Sequence, residues 1–321
     1  MSDAPSPLNT PYRDREQSVT LERGTMEQPV SGTELAPHDE FFTINMGPHH
    51  PATHGVLRLL LTLEGENVIQ LEPIIGYVHT GIEKSCEDQS YWKVIPFVER
   101  MDYLSYYFNA MAFCMSVERL LDLEVPARAQ YLRVIHLELN RIASHLFWLA
   151  TSALDLGAVT MLWWGCRERD YVLDLFEYSS GQRFHTRYFQ VGGVVEDIPP
   201  GFEAQVRKFI DTMRTRIPQY LSLLDRNEIW LQRTKGTGIV PAEDLLALGV
   251  TGPLLRAAGE PWDLRKVDPY LAYEELPFNI PVGCPRPRRP PGSSACGGAG
   301  RPTSRTGRGR SRGRGSPTRA S

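Results

Sequence analysis

The fold is decided by residues 126–181, which read PARAQYLRVIHLELNRIASHLFWLATSALDLGAVTMLWWGCRERDYVLDLFEYSSG. Apolar residues recur there at helical spacing. Pro126 suits the first position of a helix, where its missing amide hydrogen costs nothing, and we predict a helix from there through Ala153. Thr160 is predicted to cap a second helix that ends at Gly181. The Asp-Leu-Gly at residues 155–157 separates the two, so this stretch predicts a pair of long helices.

The middle of this stretch also raises the question of a membrane span. Residues 146–166 run for 21 residues with one charged side chain, Asp155, and that length could cross a bilayer. A carboxylate at the centre of a bilayer costs roughly a few kcal/mol. Because Asp-Leu-Gly is also typical of a break between helices, we predict two helices in a large core rather than a transmembrane helix.

Helical periodicity continues on both sides of the pair. Residues 101–121 are predicted to form the first long helix, and residues 202–224 the fourth, although Pro218 should kink or interrupt it. The run Pro241-Ala242-Glu243-Asp244 is typical of a helix start. The sequence therefore predicts a helical bundle at the centre of the chain.

Short apolar and alternating runs precede the helices, at residues 41–46, 56–63 and 67–72, with Glu64-Gly65-Glu66 as a turn. They predict a small antiparallel sheet. The predicted fold class is therefore α+β, mainly α, with the sheet followed by the long-helix bundle. The predicted boundaries are a disordered leader at 1–38, the sheet and a histidine-rich loop at 39–100, the helical core at 101–283 and a disordered tail at 284–321.

Charge is distributed unevenly along the chain. Residues 284–321 hold ten arginines and no acid, so the formal net charge of −3 becomes −13 for residues 1–283. An acidic body argues against nucleic acid as the main partner. The Gly- and Arg-rich tail contains no leucine, isoleucine, valine or aromatic residue, so it cannot bury enough apolar surface and is predicted to be disordered. An RNA-binding appendage is the alternative interpretation of this tail.

Three histidines, His49, His50 and His54, lie within six residues of each other between two predicted strands. Histidines that share a metal on a helix need a regular helix, which Pro48 and Pro51 prevent. A loop that presents imidazoles for hydrogen bonding or proton transfer is favoured, and a purely structural loop is the alternative. The five cysteines include no CxxC pair, and neither a dinucleotide fingerprint nor a hydrolase motif is present.

Six motifs follow one another in a characteristic order between residues 40 and 283. They are NMGPHHPATHGVLRL, GYVHTGIEK, RMDYL, the run from ELNRIASHL to SALDLGA, ERDYVLDLFEYSSGQRFH and LRAAGEPWDLRKVDPY. Together they resemble the quinone-site subunit of respiratory complex I, which is the D subunit of the bacterial NADH-quinone oxidoreductases. The resemblance stops within a residue or two of Gly283. Residues from Cys284 onward are therefore expected to be out-of-frame sequence that replaces the last third of the protein.

The resemblance implies a fold related to the large subunits of nickel-iron hydrogenases, incomplete at its C-terminus and without the cysteine pairs that hold metals. Cys86 has no cysteine two or three residues away, which disfavours a working hydrogenase. The resemblance also implies a quinone pocket shared with the B subunit, which carries the terminal iron-sulfur cluster. His54 and Tyr103 would hold the quinone headgroup, Asp155 would partner His54, and His185 would lie near the cluster. Thr80 departs from family members that have arginine there.

These roles are chemically coherent, because reduction of a quinone to a quinol takes two electrons and two protons. A tyrosine hydroxyl and an imidazolium can each donate a proton, and a carboxylate stabilises the charged imidazole. The resemblance implies that quinone is the substrate, that this chain holds no cofactor or metal, and that homologues of the B, C, I and H subunits are partners. It also implies a peripheral position, bound through partners to the cytoplasmic side of the bacterial cell membrane. The chain alone is expected to be inactive.

A non-catalytic scaffold in a related but degenerate complex is the alternative function. Retention of His54, Tyr103 and Asp155 favours the redox role, whereas the missing C-terminal region favours the scaffold. The sequence leaves open whether the quinone is ubiquinone or menaquinone. It also leaves open the electron donor of the complex, since other subunits determine it.

Overall fold

A computed structural model describes residues 41–283 of the 321-residue chain. These described residues divide into two compact units, residues 41–230 and residues 231–283. The predicted leader at 1–38 and the predicted tail at 284–321 lie outside the described residues.

The first unit begins with a three-stranded antiparallel sheet, as predicted. Its strands are β1 (Phe41–Met46), β2 (Arg58–Glu64) and β3 (Asn67–Ile74), in the order β1-β2-β3. Phe41 pairs with Glu64 and Arg58 pairs with Ile74. The predicted turn lies between β2 and β3, where Gly65 has a φ of +59° that favours glycine.

Helices make up most of the remaining described chain, which confirms the predicted α+β, mainly α class. Two short strands interrupt the series of helices. In chain order the elements are α1 (Ile82–Glu87), α2 (Tyr91–Val98), α3 (Tyr106–Leu120), α4 (Ala127–Asp155), α5 (Val159–Ser180), β4 (Phe189–Gln190), β5 (Gly193–Val194), α6 (Phe202–Leu224) and α7 (Glu228–Thr234). The second unit adds α8 (Ala242–Ala247), α9 (Gly252–Ala257) and α10 (Leu264–Val267). The predicted helix start at Pro241 is confirmed, since Pro241 is the N-cap residue of α8.

Two predicted details are wrong, and a third holds only in part of what it allowed. The first long helix begins at Tyr106 rather than Met101, because the Asp102 side chain accepts a hydrogen bond from the Leu104 amide and holds a turn there. Thr160 does not cap α5, which begins one residue earlier, after a turn at Gly157 with a φ of +94°. Pro218 was predicted to kink or interrupt α6, and the helix runs through it without interruption, since Pro218 lies on an exposed face where water can satisfy the released carbonyl group. A kink at this residue stays a prediction.

Helices α4 and α5 pack closely at Gly165. A Cβ atom on this residue would lie 2.8 Å from the Cβ atom of Ala150 and 2.9 Å from the carbonyl oxygen of Leu146. Both distances are shorter than ordinary van der Waals contact, so only glycine allows this approach of the two helices. Within residues 41–283, neither this pair nor any other helix is long and apolar enough to span a membrane.

A buried ion pair fixes the β4–β5 hairpin to the helices. The fully buried Arg133 of α4 donates to Glu118 of α3, with 3.0 Å between Nη1 and Oε2. The same guanidinium donates to the carbonyl oxygens of Gln190 and Gly193, and the Gly192 amide donates to Glu118. Because strands of two residues have little stability of their own, these contacts determine where the hairpin lies.

In the second unit, a buried aspartate organises the short helices. Asp263 caps α10 by accepting from the Arg265 amide, and its carboxylate also binds the Arg265 and Arg256 guanidinium groups. Both arginines hold the pKa of Asp263 below its usual value, with the Arg265 hydrogen bond as the main cause. The Arg265 guanidinium lies 4.5 Å from the ring centre of Phe278. This motif, WDLRK in the sequence, therefore has a structural role within its unit.

Candidate functional site

The histidine-rich loop lies between β1 and β2 and is tightly folded. His50 caps a short 3-10 turn at Pro51–Thr53 by accepting a hydrogen bond from the Ala52 amide. His54 follows this turn in the left-handed conformation, with a φ of 50°. A Cβ atom on Gly47 would lie only 2.0 Å from the carbonyl oxygen of Leu57. The close approach of these two backbone segments determines where the loop presents His54.

The structure brings His54 and Asp155 together. Asp155 is the last residue of α4, and its Oδ2 atom lies 3.2 Å from Nε2 of His54. The side chains are 59% and 46% exposed, respectively. The expected position of Asp155 within a large apolar core is therefore wrong for this chain, because the helix ends at the surface. The contact itself joins two parts of the sequence that are distant from each other.

Tyr103 lies in the turn that precedes α3, and its side chain is 53% exposed. Within residues 41–283, no hydrogen bond or ring contact joins Tyr103 to His54 or Asp155. The turn that holds Tyr103 is fixed by Asp102, whose carbonyl oxygen also accepts from the Asn109 side chain. These contacts fix the backbone at Tyr103 and leave its half-exposed side chain at the surface of the turn.

Arg58 was not predicted as a site residue, yet it ties the loop after β3 to the sheet. Its Nη1 atom donates to the hydroxyl of Tyr77 over 2.8 Å, and its Nε atom donates to Asn45 over 3.0 Å. Thr80 lies exposed in the same loop, next to Gly81, whose amide donates to His79. Arg58 therefore connects two of the recognised motifs, a role that the sequence pattern of a strand does not reveal.

His185 lies in the loop after α5, in the left-handed conformation. Its ring centre is 4.3 Å from that of Phe184 and 5.5 Å from that of Tyr106. Burial, and then the positive charge of Arg100, lower the pKa of this imidazole. The loop is held by Arg183, which forms ion pairs with Asp170, Asp174 and Glu177 of α5.

Glu99, immediately after α2, is a further candidate that the sequence analysis did not identify. Its side chain is fully buried, and its Oε1 atom accepts from the Arg187 amide over 2.9 Å. Burial raises the pKa of its carboxyl group to about 7, against the opposing effects of that hydrogen bond and of Arg100 and Arg187. Only the tertiary structure, which buries Glu99 against the backbone of Arg187, identifies it.

The side chains that could bind a metal ion lie apart from one another in the described residues. Among residues 41–283, no three side chains of histidine, cysteine, aspartate or glutamate approach closely enough to hold a metal ion. Cys86, Cys114 and Cys166 are free thiols. The candidate site thus consists of the His54–Asp155 pair, together with Tyr103 and His185 on separate loops.

Comparison with known proteins identifies the family. The family described as respiratory-chain NADH dehydrogenase, 49 kDa subunit, matches residues 155–285. The D subunit of NADH-quinone oxidoreductase from Acidothermus cellulolyticus is 49% identical over 247 residues, which are 76% of this chain and 56% of the relative. The protein of the same name from Geotalea uraniireducens is also 49% identical, over 76% of this chain and 63% of the relative.

A third relative, one of the NADH-quinone oxidoreductase D subunits of Salinispora tropica, is 47% identical over 265 residues, 82% of this chain and 60% of the relative. The chain thus spans about three fifths of the length of these curated relatives. The residues that the family model matches begin at Asp155, the last residue of α4, and include all of α5. On this sequence similarity, residues 155–285 belong to the family of the respiratory-chain NADH dehydrogenase 49 kDa subunit, and about three quarters of the chain is similar to bacterial proteins called D subunits of NADH-quinone oxidoreductase.

Proposed function

We propose that this chain acts as the D-type core subunit of a proton-translocating NADH-quinone oxidoreductase, where it forms the quinone-reduction pocket together with the B subunit. The observation that supports this most is the contact between His54 and Asp155, two residues 101 positions apart. An exposed imidazole held by a carboxylate is suited to donate a proton to a bound substrate.

In this proposal, His54 and Tyr103 hold the two carbonyl ends of the quinone headgroup. Each donates one of the two protons that quinol formation requires, from the imidazolium N–H and the phenol O–H. Asp155 stabilises the charged form of His54 until its proton is delivered. After delivery, the carboxylate faces a neutral ring, and this local change of charge is available to bias a conformational step.

The electrons in this proposal come from the terminal iron-sulfur cluster of the B subunit, and His185 lies near that cluster. The chain itself holds no cofactor. It binds to the cytoplasmic side of the bacterial membrane through its partners, the B, C, I and H homologues. The predicted boundaries at residues 39–100 and 101–283 then separate the quinone loop from the helical core.

Two variants of the intact complex test the proton-donor roles. Tyr103→Phe and His54→Ala each remove a donor but little packing, so both should lower NADH-driven quinone reduction while NADH still reduces the iron-sulfur clusters. Tyr171→Phe is the control, since Tyr171 is an exposed tyrosine on α5. Turnover at the parent rate in both donor variants would show that the assignment is wrong.

Co-purification tests the subunit role separately. Isolation of the chain from its native membrane should recover the B, C, I and H homologues with it. A complex that contains the chain but neither binds nor reduces quinone would support the scaffold function instead. Quinone reduction by the purified chain alone would contradict the requirement for partners.

A further inference from the structure

Arg58 lies where two loops of the first unit meet the sheet. It is the first residue of β2, so it directly follows the histidine-rich loop, residues 47–57. The other loop, residues 75–81, links β3 to α1, and we call it the Tyr77 loop. Arg58 pairs with Ile74, the residue that precedes the Tyr77 loop. The side chain of Arg58 is thus placed between the two loops.

On one side, Arg58 closes the base of the histidine-rich loop. The pairing of β1 with β2 ends at Met46 and Leu59, and the pair before it joins Asn45 to Leu60. Because side chains two residues apart in a strand share a face, Arg58 and Asn45 are diagonal neighbours across the two strands. The Nε atom of Arg58 donates to Oδ1 of Asn45 over 3.0 Å. This contact connects the strands one position beyond their last backbone pair.

On the other side, Arg58 holds the Tyr77 loop. Its Nη1 atom donates to the hydroxyl oxygen of Tyr77 over 2.8 Å. The Tyr77 loop also has hydrogen bonds of its own. The His79 amide donates to the Gly76 carbonyl oxygen, and the Gly81 amide donates to Nδ1 of His79. The Tyr77 hydroxyl therefore links a compact turn to the base of the histidine-rich loop.

The histidine-rich loop connects its base to His54 by a short route. The Leu57 amide donates to the carbonyl oxygen of Thr53 over 3.2 Å. Leu57 is the neighbour of Arg58 in the chain, and Thr53 is the neighbour of His54. The His54 ring in turn lies 3.2 Å from Asp155. A hydrogen bond weakens when its atoms move apart by a few tenths of an ångström, so the position of the base matters at His54.

The shape of the guanidinium group suits this double contact. Its donors lie in one plane and point in fixed, different directions, so Nε and Nη1 can bind two acceptors at once. Both acceptors, the Asn45 amide oxygen and the Tyr77 hydroxyl, are neutral. A lysine would carry the same charge, but on a single nitrogen at the end of a flexible chain. The link between the loops therefore depends on the shape of Arg58 more than on its charge.

We propose that Arg58 is a positioning residue that holds the histidine-rich loop and the Tyr77 loop as one unit and so fixes where His54 meets Asp155 and a bound quinone. Arg58 acts through the loop rather than by contact with the substrate. The effect on quinone reduction rests on the proposed function, whereas the coupling of the two loops does not. Separate measurements therefore test the two statements.

Hydrogen exchange of the full chain within its native complex, measured on peptides from residues 47–57, tests the coupling. Tyr77→Phe removes one hydroxyl group, yet exchange in the histidine-rich loop should become about three- to tenfold faster. Arg58→Lys should have the same effect. Tyr178→Phe is the matched control, because Tyr178 is similarly exposed and its hydroxyl also donates a hydrogen bond, over 2.7 Å to the Pro200 carbonyl oxygen. It should leave exchange in residues 47–57 unchanged.

Quinone reduction per complex tests the positioning role. Tyr77→Phe should lower kcat, but it should cause no further loss in a His54→Ala background, because the coupling acts through His54. Arg58→Lys should remain slower than the parent. A lysine that restored the parent rate would show that charge alone matters at this position, which would overturn the proposal.

The remaining outcomes separate the coupling from the proposed function. Unchanged exchange in residues 47–57 in both Tyr77→Phe and Arg58→Lys would overturn the coupling, as would an equal rise in Tyr178→Phe. A further loss of turnover when Tyr77→Phe is added to His54→Ala would overturn the positioning role. Faster exchange as expected, together with parent turnover in His54→Ala, would support the coupling and contradict the proposed function.

Discussion

The Nε2 atom of His54 lies 3.2 Å from Oδ2 of Asp155, and the two residues come from distant parts of the sequence, a strand-connecting loop and the end of a 29-residue helix. The tight loop and the helix end position the two side chains independently of each other. Since both side chains are about half exposed, the pair is accessible to a substrate. Variants of either residue can therefore test the pair without disturbing a core.

Asp155→Asn should lower quinone turnover of the complex by roughly ten- to a hundredfold. The amide keeps the size of the side chain but loses the charge, and a hydrogen bond to a charged group contributes about 1.5–3 kcal/mol. The measurement is NADH-driven quinone reduction by the variant complex. The double variant with His54→Ala should be no slower than His54→Ala alone, because residues that act as a pair are not additive. If the loss of turnover in the double variant equalled the product of the two single losses, His54 and Asp155 would act independently of each other.

Arg133→Met should destabilise the chain by about 3–5 kcal/mol, because it leaves the buried Glu118 carboxylate without its guanidinium partner. Denaturant unfolding of the full chain measures the loss. Arg128→Met on the same helix is the control, since the Arg128–Asp197 pair is exposed to water. It should have little effect on the free energy of unfolding. Equal losses in the two variants would mean that the buried pair has no special role.

Gly165→Ala should destabilise the chain by about 1–3 kcal/mol, the usual cost of forcing a methyl group into packed surroundings. The new methyl group would meet Ala150 and the Leu146 carbonyl oxygen. Adding Ala150→Gly should recover only part of the loss, because the contact with the backbone oxygen remains. Thermal unfolding of the single and double variants measures both effects. If Gly165→Ala unfolded at the same temperature as the parent, α4 and α5 would be able to move apart at this point without a loss of stability.

Acid should destabilise the chain through His136, a buried residue of α4 whose pKa burial lowers from 6.5 to about 4. Between these values the unfolded chain takes up a proton that the folded chain does not. Stability therefore falls as the pH drops from 6.5 towards 4, by roughly 3 kcal/mol, and then levels off. The pH dependence of unfolding in the parent, compared with His136→Gln, isolates this effect.

The comparison with His136→Gln is needed because Glu99 changes the free energy of unfolding with pH in the opposite direction. The pKa of its carboxyl group is raised from 4.5 to about 7 in the folded chain, so its contribution is present at low pH and is lost as the pH rises through that range. Subtracting the His136→Gln profile from the parent profile leaves the histidine contribution alone. If the difference in the free energy of unfolding between the parent and His136→Gln did not change between pH 6.5 and 4, the prediction would be contradicted.

The sequence predicted the sheet, both long central helices and the break at residues 155–157, because apolar periodicity and glycine act locally. It failed at Met101, where a single hydrogen bond from the Leu104 amide to Asp102 favours a turn over the helix. Helix periodicity carries no information on such a side-chain contact. The start of α5 was missed for the same reason, since Gly157 rather than a capping side chain determines it.

The candidate site was predictable only through the resemblance. No spacing in the sequence connects His54 to Asp155, and the order of the motifs alone suggested their contact. Glu99 and Arg58 escaped prediction, because their roles depend on segments distant in sequence, the loop at Arg187 and the Tyr77 hydroxyl. Whether His54, Tyr103, Asp155 and His185 act as proposed stays a prediction.

Helix α4 carries the buried Arg133 near one end and Asp155 at the other, 22 residues further along. At a rise of 1.5 Å per residue, the helix segment from Arg133 to Asp155 is about 33 Å long, and we call this segment the arm. A rotation of the arm by one degree about Arg133 displaces the Asp155 carboxylate by about half an ångström, and a few degrees suffice to break a hydrogen bond. The arm thus converts angular movement of the bundle into the making or breaking of one contact, that between Asp155 and His54.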